Sequence, residues 1–74
     1  MPFFIYILLS KKDGKRYIGM TSNLEKRLLE HNSGLVKSTR NRIPFELIYN
    51  ETYDNKSEAL KREKELKSKK GYLS

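Results

Sequence analysis

A carboxylate on the apolar side of a helix, an arginine one turn from a histidine, and two tyrosines on short β-type runs are the groups in this chain that can do chemistry. Glu63 is the sharpest of them. With Ala59 at zero on a helical wheel, Leu66 falls near about −20°, Glu63 near about 40° and Leu60 near about 100°. Glu63 thus lies inside the apolar stripe of its own helix, while Glu58 and Glu65 fall outside it. An unpaired carboxylate is costly to bury, so it needs a cation or hydrogen-bond donors. A buried Arg or Lys would meet that need structurally. A hard divalent ion, Mg2+ or Mn2+, would meet it functionally.

Arg27 and His31 are four apart on an earlier helix, so their side chains are neighbours. With Leu24 at zero, Leu28 falls near about 40°, His31 near about −20° and Arg27 near about −60°. His31 is therefore on the buried side with Arg27 at its border. A histidine there is more often a satisfied structural group than a catalyst. A fixed guanidinium beside it changes that balance, because it can hold a phosphate through two hydrogen bonds. Tyr6 and Tyr17 share a sheet face in the register read below, and a phenol can orient or deprotonate a water if a cation is near. Tyr49 and Tyr53 are read as packing residues.

These groups need a scaffold. Phe3 to Leu9 is aromatic and β-branched and reads as a strand. Asp13-Gly14 marks a turn, and Lys15 to Met20 returns as an antiparallel partner. That register sets Leu8 opposite Tyr17 and Tyr6 opposite Gly19, which leaves room beside the Tyr6 ring. Ser22 and Glu25 form a capping box for a helix from Asn23 or Leu24 to about Asn32, stopped by Gly34 in the left-handed conformation. Leu35 to Ile43 is basic, has no clean period and reads as a functional loop, closed by Pro44. Phe45 to Tyr53 alternates as a third strand. Asn55 with Glu58 caps a last helix from about Lys56 to Lys69. The tail from Gly71 is too short to interpret.

The chain has 74 residues, which suits one domain, 1–74, with a modest core. It has no cysteine, which excludes disulfides and thiolate metal sites and suits a reducing cytoplasm. No apolar run is long enough for a membrane span, and no basic region precedes Phe3 to Leu9 as it would in a signal peptide. One histidine cannot build a multi-His site, and there is no Walker loop or HExxH. Sixteen Lys and Arg against nine Asp and Glu give a net charge of +7, a bias toward polyanions. Lys15, Arg16, Lys37, Arg40 and Arg42 are the bases expected to contact a nucleic-acid backbone.

Taken together, Phe4-Ile5-Tyr6, Tyr17-Ile18-Gly19 with Thr21, Leu24 to Arg27, Glu30-His31-Asn32-Ser33-Gly34, and Glu58-Ala59-Leu60 through Arg62-Glu63 resemble the GIY-YIG nuclease superfamily. The likeness covers almost the whole chain and is strongest to small single-domain members related to structure-specific and excision-repair endonucleases. Phe4 stands where the name-giving motif has glycine. The resemblance implies an α+β fold, a three-stranded antiparallel sheet flanked by helices. It implies that Tyr6 and Tyr17 line the site, Arg27 contacts the scissile phosphate, His31 assists water or proton transfer, and Glu63 binds one Mg2+ or Mn2+ ion. It further implies DNA cleavage to 5′-phosphate and 3′-hydroxyl ends, in repair or recombination, with a protein partner supplying substrate specificity. Two other readings are a non-catalytic nucleic-acid-binding module of the same fold, which would bind without cleaving, and an interaction protein that docks a partner nuclease. The intact set of five residues favours the enzyme.

Overall fold

The computed structural model describes residues 2–68. It is α+β, as expected, with strands β1 (Phe3–Ser10), β2 (Arg16–Thr21) and β3 (Phe45–Tyr53), and helices α1 (Leu24–Asn32) and α2 (Lys56–Ser68). A 3-10 turn, Arg40–Arg42, lies in the basic loop. The expected end of α2 at Lys69 and the tail from Gly71 fall outside the described residues.

The sheet is antiparallel with β1 in the centre, in the order β2-β1-β3. The β1–β2 register sets Leu8 opposite Tyr17 and Tyr6 opposite Gly19, as the sequence led us to expect. The turn between them needs Gly14 at φ +72°, a conformation that a side chain disfavours.

Alternation sends β1 side chains to two different layers. Ile5 and Ile7, with Ile18, pack against Ala59 and Leu66 of α2. Tyr6 and Leu8, with Phe45, lie on the other face, where Tyr17, Leu24, Leu28, Ile43 and Leu47 cover them. The two helices therefore sit on opposite faces of the sheet. Each fully buried aliphatic side chain contributes about 1.5–3 kcal/mol, so a core this small leaves little margin.

β3 departs from the simple alternation read in its sequence. Ile7 pairs with Tyr49 and Leu8 with Leu47, so Ile48 is the surplus residue of a β-bulge. Phe45 and Leu47 face the α1 layer, whereas Tyr53 packs in the α2 layer. Leu60 also departs from expectation. It is 42% exposed, because α2 meets the sheet through Ala59 and Leu66 instead.

The caps show one correction and two agreements. Asn23, not Ser22, caps α1, accepting from the Lys26 amide at 3.1 Å. Thr21 Oγ1 already turns the chain by accepting the Asn23 amide at 3.1 Å, which leaves Ser22 outside the helix end. Gly34, at φ +79°, ends α1 with its amide on His31 O and the Leu35 amide on Glu30 O, a Schellman closure. Asn55 accepts the Glu58 amide at 2.9 Å and donates to its carboxylate at 3.1 Å.

Candidate active site

The α1 face of the sheet brings four of the five sequence-selected groups together. Tyr6 and Tyr17 are diagonal neighbours there, with ring centroids 6.4 Å apart. His31 enters from α1 and meets both rings edge-on, at 5.9 Å from Tyr6 and 5.0 Å from Tyr17. Its Nε2 is 3.0 Å from the Tyr6 hydroxyl. Arg27, one turn earlier on α1, pairs with Glu30 at 3.2 Å and remains about one-third exposed. Gly19 makes the cluster possible, since a Cβ at that position would overlap the Tyr6 hydroxyl and come within 2.5 Å of Cζ.

Exposure divides these groups. Tyr6 and His31 are buried, whereas Tyr17 and Arg27 reach the surface in part. An open groove of about 460 Å³ runs beside Arg27, lined by Thr21, Ser22, Asn23, Lys26 and Glu30 among others.

Burial and charge set the protonation states. Burial lowers the His31 pKa to about 4, with the Arg27 charge adding to the effect, so the imidazole is neutral at pH 7. Burial raises the Tyr6 pKa, against a smaller opposing pull from the Arg27 guanidinium. Tyr6 is therefore a neutral phenol near pH 7, suited to orienting a partner and not to removing its proton.

Two residues that the sequence reading passed over complete the site. Thr39, fully buried, places Oγ1 2.8 Å from His31 Nδ1. Asn32 grips the start of β3, accepting the Phe45 amide at 2.6 Å and donating to its carbonyl at 3.1 Å. The Asn32 clamp copies a β-bridge and holds the end of α1 against the sheet. No periodicity marks either residue; each acts through a partner 8 or 13 positions away.

Glu63 stands apart from the four. It belongs to α2, on the opposite layer, and its side chain is 19% exposed, with Lys67 Nζ at 3.3 Å. No hydrogen bond or ion pair among the described residues joins it to Tyr6, Tyr17, Arg27 or His31, but its charge reaches Tyr6 and raises that pKa slightly. Among the described residues no three acidic, His or Cys groups cluster as a metal cage. Mg2+ asks for less, since one carboxylate with water and substrate phosphate oxygens suffices. Glu63 fits that requirement: it is largely withdrawn from solvent, and its lysine partner is half-exposed.

Beside Glu63 on α2, Arg62 forks onto Glu51 of β3 at 2.9 and 3.0 Å. Tyr49 and Tyr53 also donate to that carboxylate. Arg62, foremost, holds Glu51 at a pKa of about 2. This knot fixes α2 against β3.

The basic residues divide as well. Arg42 pairs with Asp13 at 3.0 Å and lies 5.7 Å from the Phe45 ring centroid. Lys12 reaches Asn41 O at 3.0 Å, and Ser10 Oγ donates to Arg42 O at 2.6 Å. These contacts fasten the basic loop to the β1–β2 turn. Lys15, Lys37 and Arg40 are exposed, Arg16 is half-buried, and none of the four has an ion pair among the described residues.

The family model described as the GIY-YIG catalytic domain matches residues 2–72. This chain belongs to the GIY-YIG family. GIY-YIG domains are nuclease domains, so the substrate class is nucleic acid. The chain is 48% identical to a UPF0213 protein of Staphylococcus saprophyticus over 66 residues, 88% of this chain and 79% of that one. It is 46% identical to a UPF0213 protein of Natronomonas pharaonis, over 88% of this chain and 76% of that one. Among solved structures it is similar to the solution NMR structure of a UPF0213 protein from Bacillus halodurans. That pair shares 38% identity and a TM-score of 0.62, covering 96% of this chain and 76% of that one. No helix among the described residues is long and apolar enough to cross a membrane.

Proposed function

We propose that this GIY-YIG domain, as a single unit, is a cytoplasmic endonuclease that hydrolyses DNA phosphodiester bonds with one Mg2+ or Mn2+ ion in repair or recombination. The observation that carries the reading is Arg27, a partly exposed guanidinium paired with Glu30 and set at the rim of an open groove.

In this reading Arg27 holds the scissile phosphate and stabilises the charge that develops on its oxygens as phosphorus becomes pentacovalent. Tyr17, the more open of the two phenols, orients the attacking water. Tyr6 and neutral His31 lie behind and fix the Tyr17 ring. Glu63 holds the cation, which when bound supplies charge neutralisation at the leaving oxygen. Lys15, Arg16, Lys37 and Arg40 contact flanking phosphates, and Arg42 braces the loop that carries two of them. A protein partner supplies the choice of DNA structure.

The test is nicking of supercoiled plasmid and branched DNA with Mg2+ or Mn2+, comparing the native chain with Glu63→Ala and Arg27→Ala. Metal-dependent nicks lost in both variants are the expected result. Cleavage that survives both substitutions rejects the assigned site, and salt-sensitive binding without cleavage by the native chain favours a binding module.

A further inference from the structure

α2 turns one side to the sheet and the other to solvent. Ala59 and Leu66 are buried and Arg62 and Glu63 half-buried, whereas Lys56, Leu60, Lys61, Lys64 and Lys67 are exposed. With Leu60 at zero on the wheel, Lys67 falls near about −20°, Lys56 near about −40°, Lys64 near about 40° and Lys61 near about 100°. Four cations therefore share the outward face. Glu58 and Glu65 fall near about 160° and 140°, off that face.

The acids of α2 are engaged elsewhere. Glu58 accepts from the Asn55 side chain at 3.1 Å, and Glu65 is 3.8 Å from Arg62. Lys67 reaches Glu63 at 3.3 Å, but Lys56, Lys61 and Lys64 have no ion pair among the described residues. Lys61, Lys64 and Lys67 follow one another at three-residue steps, a spacing at which like charges repel and weaken a helix. A polyanion lying along the face would reverse the sign of that cost.

The chemistry of the face narrows the partner. Lysine ammonium groups are point charges that suit phosphate. Lys56 to Lys67 spans roughly 16 Å, about five phosphate steps along one strand of a duplex. Leu60 alone gives no apolar face to enter a bilayer. α2 covers the side of the sheet opposite to α1, so this stripe and the groove beside Arg27 belong to different layers.

We propose that the outward face of α2 is a second nucleic-acid-binding surface, with Lys56, Lys61 and Lys64 on the phosphates of a duplex segment other than the one at the Arg27 groove. The first segment is the one given to Arg27 above; the second surface rests on nucleic acid as the substrate and not on its cleavage.

The test is a backbone NMR titration of the native chain with a short DNA duplex in the absence of divalent metal. Amides around Lys56, Lys61 and Lys64 are expected to shift, as well as those around Arg27. In Lys61→Gln/Lys64→Gln the α2 shifts should be lost and the Arg27 shifts kept. That variant should melt no lower than the native chain, because it removes like charges from one helix. Donor- and acceptor-labelled duplexes mixed with the native chain should show energy transfer that the variant abolishes. Unmoved α2 amides at saturating duplex overturn the proposal, and that measurement needs no variant to fold. So do α2 shifts of equal size with polyglutamate, shifts with anionic phospholipid vesicles in place of DNA, or loss of the Arg27 shifts in the variant. A native chain whose α2 amides respond to DNA but which cuts nothing with Mg2+ or Mn2+ rejects the nuclease reading and leaves this surface standing. Cleavage with silent α2 amides does the reverse.

Discussion

Gly19 faces Tyr6 across the β1–β2 ladder, and the Tyr6 hydroxyl occupies the space that a methyl group on Gly19 would need. The glycine is required for room, since its φ is not among the positive values in the chain. Gly19→Ala is expected to cost about 1–3 kcal/mol and to displace Tyr6 from His31. Urea unfolding measures the cost. A variant as stable as the native chain would show that the phenol has another resting place.

Arg27 is expected to act in turnover more than in folding. Arg27→Ala should slow nicking by about 10²–10³-fold while shifting the thermal midpoint little, because its Glu30 partner is itself partly exposed. Arg27→Lys should recover only part of the rate, as an ammonium lacks the planar fork. Full recovery by lysine would mean that charge alone suffices.

Stability should fall in mild acid through His31. Its folded pKa of about 4 lies below the ordinary value of 6.5. Between these values the unfolded chain binds a proton that the folded chain does not, so stability is complete above about pH 6.5, declines as pH falls and levels off below about pH 4. The total is on the order of 3 kcal/mol. Urea midpoints across this range should slope in the native protein and flatten in His31→Gln. An unchanged slope in the variant would assign the effect to other groups.

The fork between Arg62 and Glu51 should prove structural. Glu51→Gln is expected to destabilise the fold by about 1–2 kcal/mol, since Gln accepts less strongly from Arg62 and the two tyrosines. A double-mutant cycle with Arg62→Met isolates the coupling, and additive effects would show that α2 docks without it.

The basic residues should separate by salt dependence. Lys37→Ala and Arg40→Ala should each reduce the slope of log binding constant against log salt by about 0.9 on duplex DNA. Arg42→Ala should chiefly lower the melting temperature, because its guanidinium is held between Asp13 and Phe45. An equal slope change for Arg42 would place it on the nucleic acid.

Much of this architecture could be read from the chain before its structure. Strand and hairpin signals are local, so the register that pairs Tyr6 with Gly19 was legible from a turn dipeptide and two short runs. The helix ends at Gly34 and Asn55 were legible for the same reason. What escaped depends on partners distant in sequence. Thr39 looks like any polar loop residue until the loop folds back over His31. Asn23 displaces Ser22 as the cap because Thr21 claims the preceding turn. Leu60 seemed part of the apolar stripe, yet α2 meets the sheet through Ala59 and Leu66, with Arg62 on Glu51 beside them, a contact with no periodic signature. The wheel did find Glu63 withdrawn from solvent. The sheet that separates its layer from the tyrosines is a property of the topology, which a wheel does not contain.

Ile48 gives β3 a change of phase. In unbroken alternation Phe45, Leu47 and Tyr53, an even number of residues apart, would share one side of the sheet, whereas the bulge lets Phe45 and Leu47 serve one layer and Tyr53 the other. Deleting that single residue would force a choice between roofing the histidine and seating the last helix. A domain of this size thus depends on one odd residue to make three strands do the covering work of four.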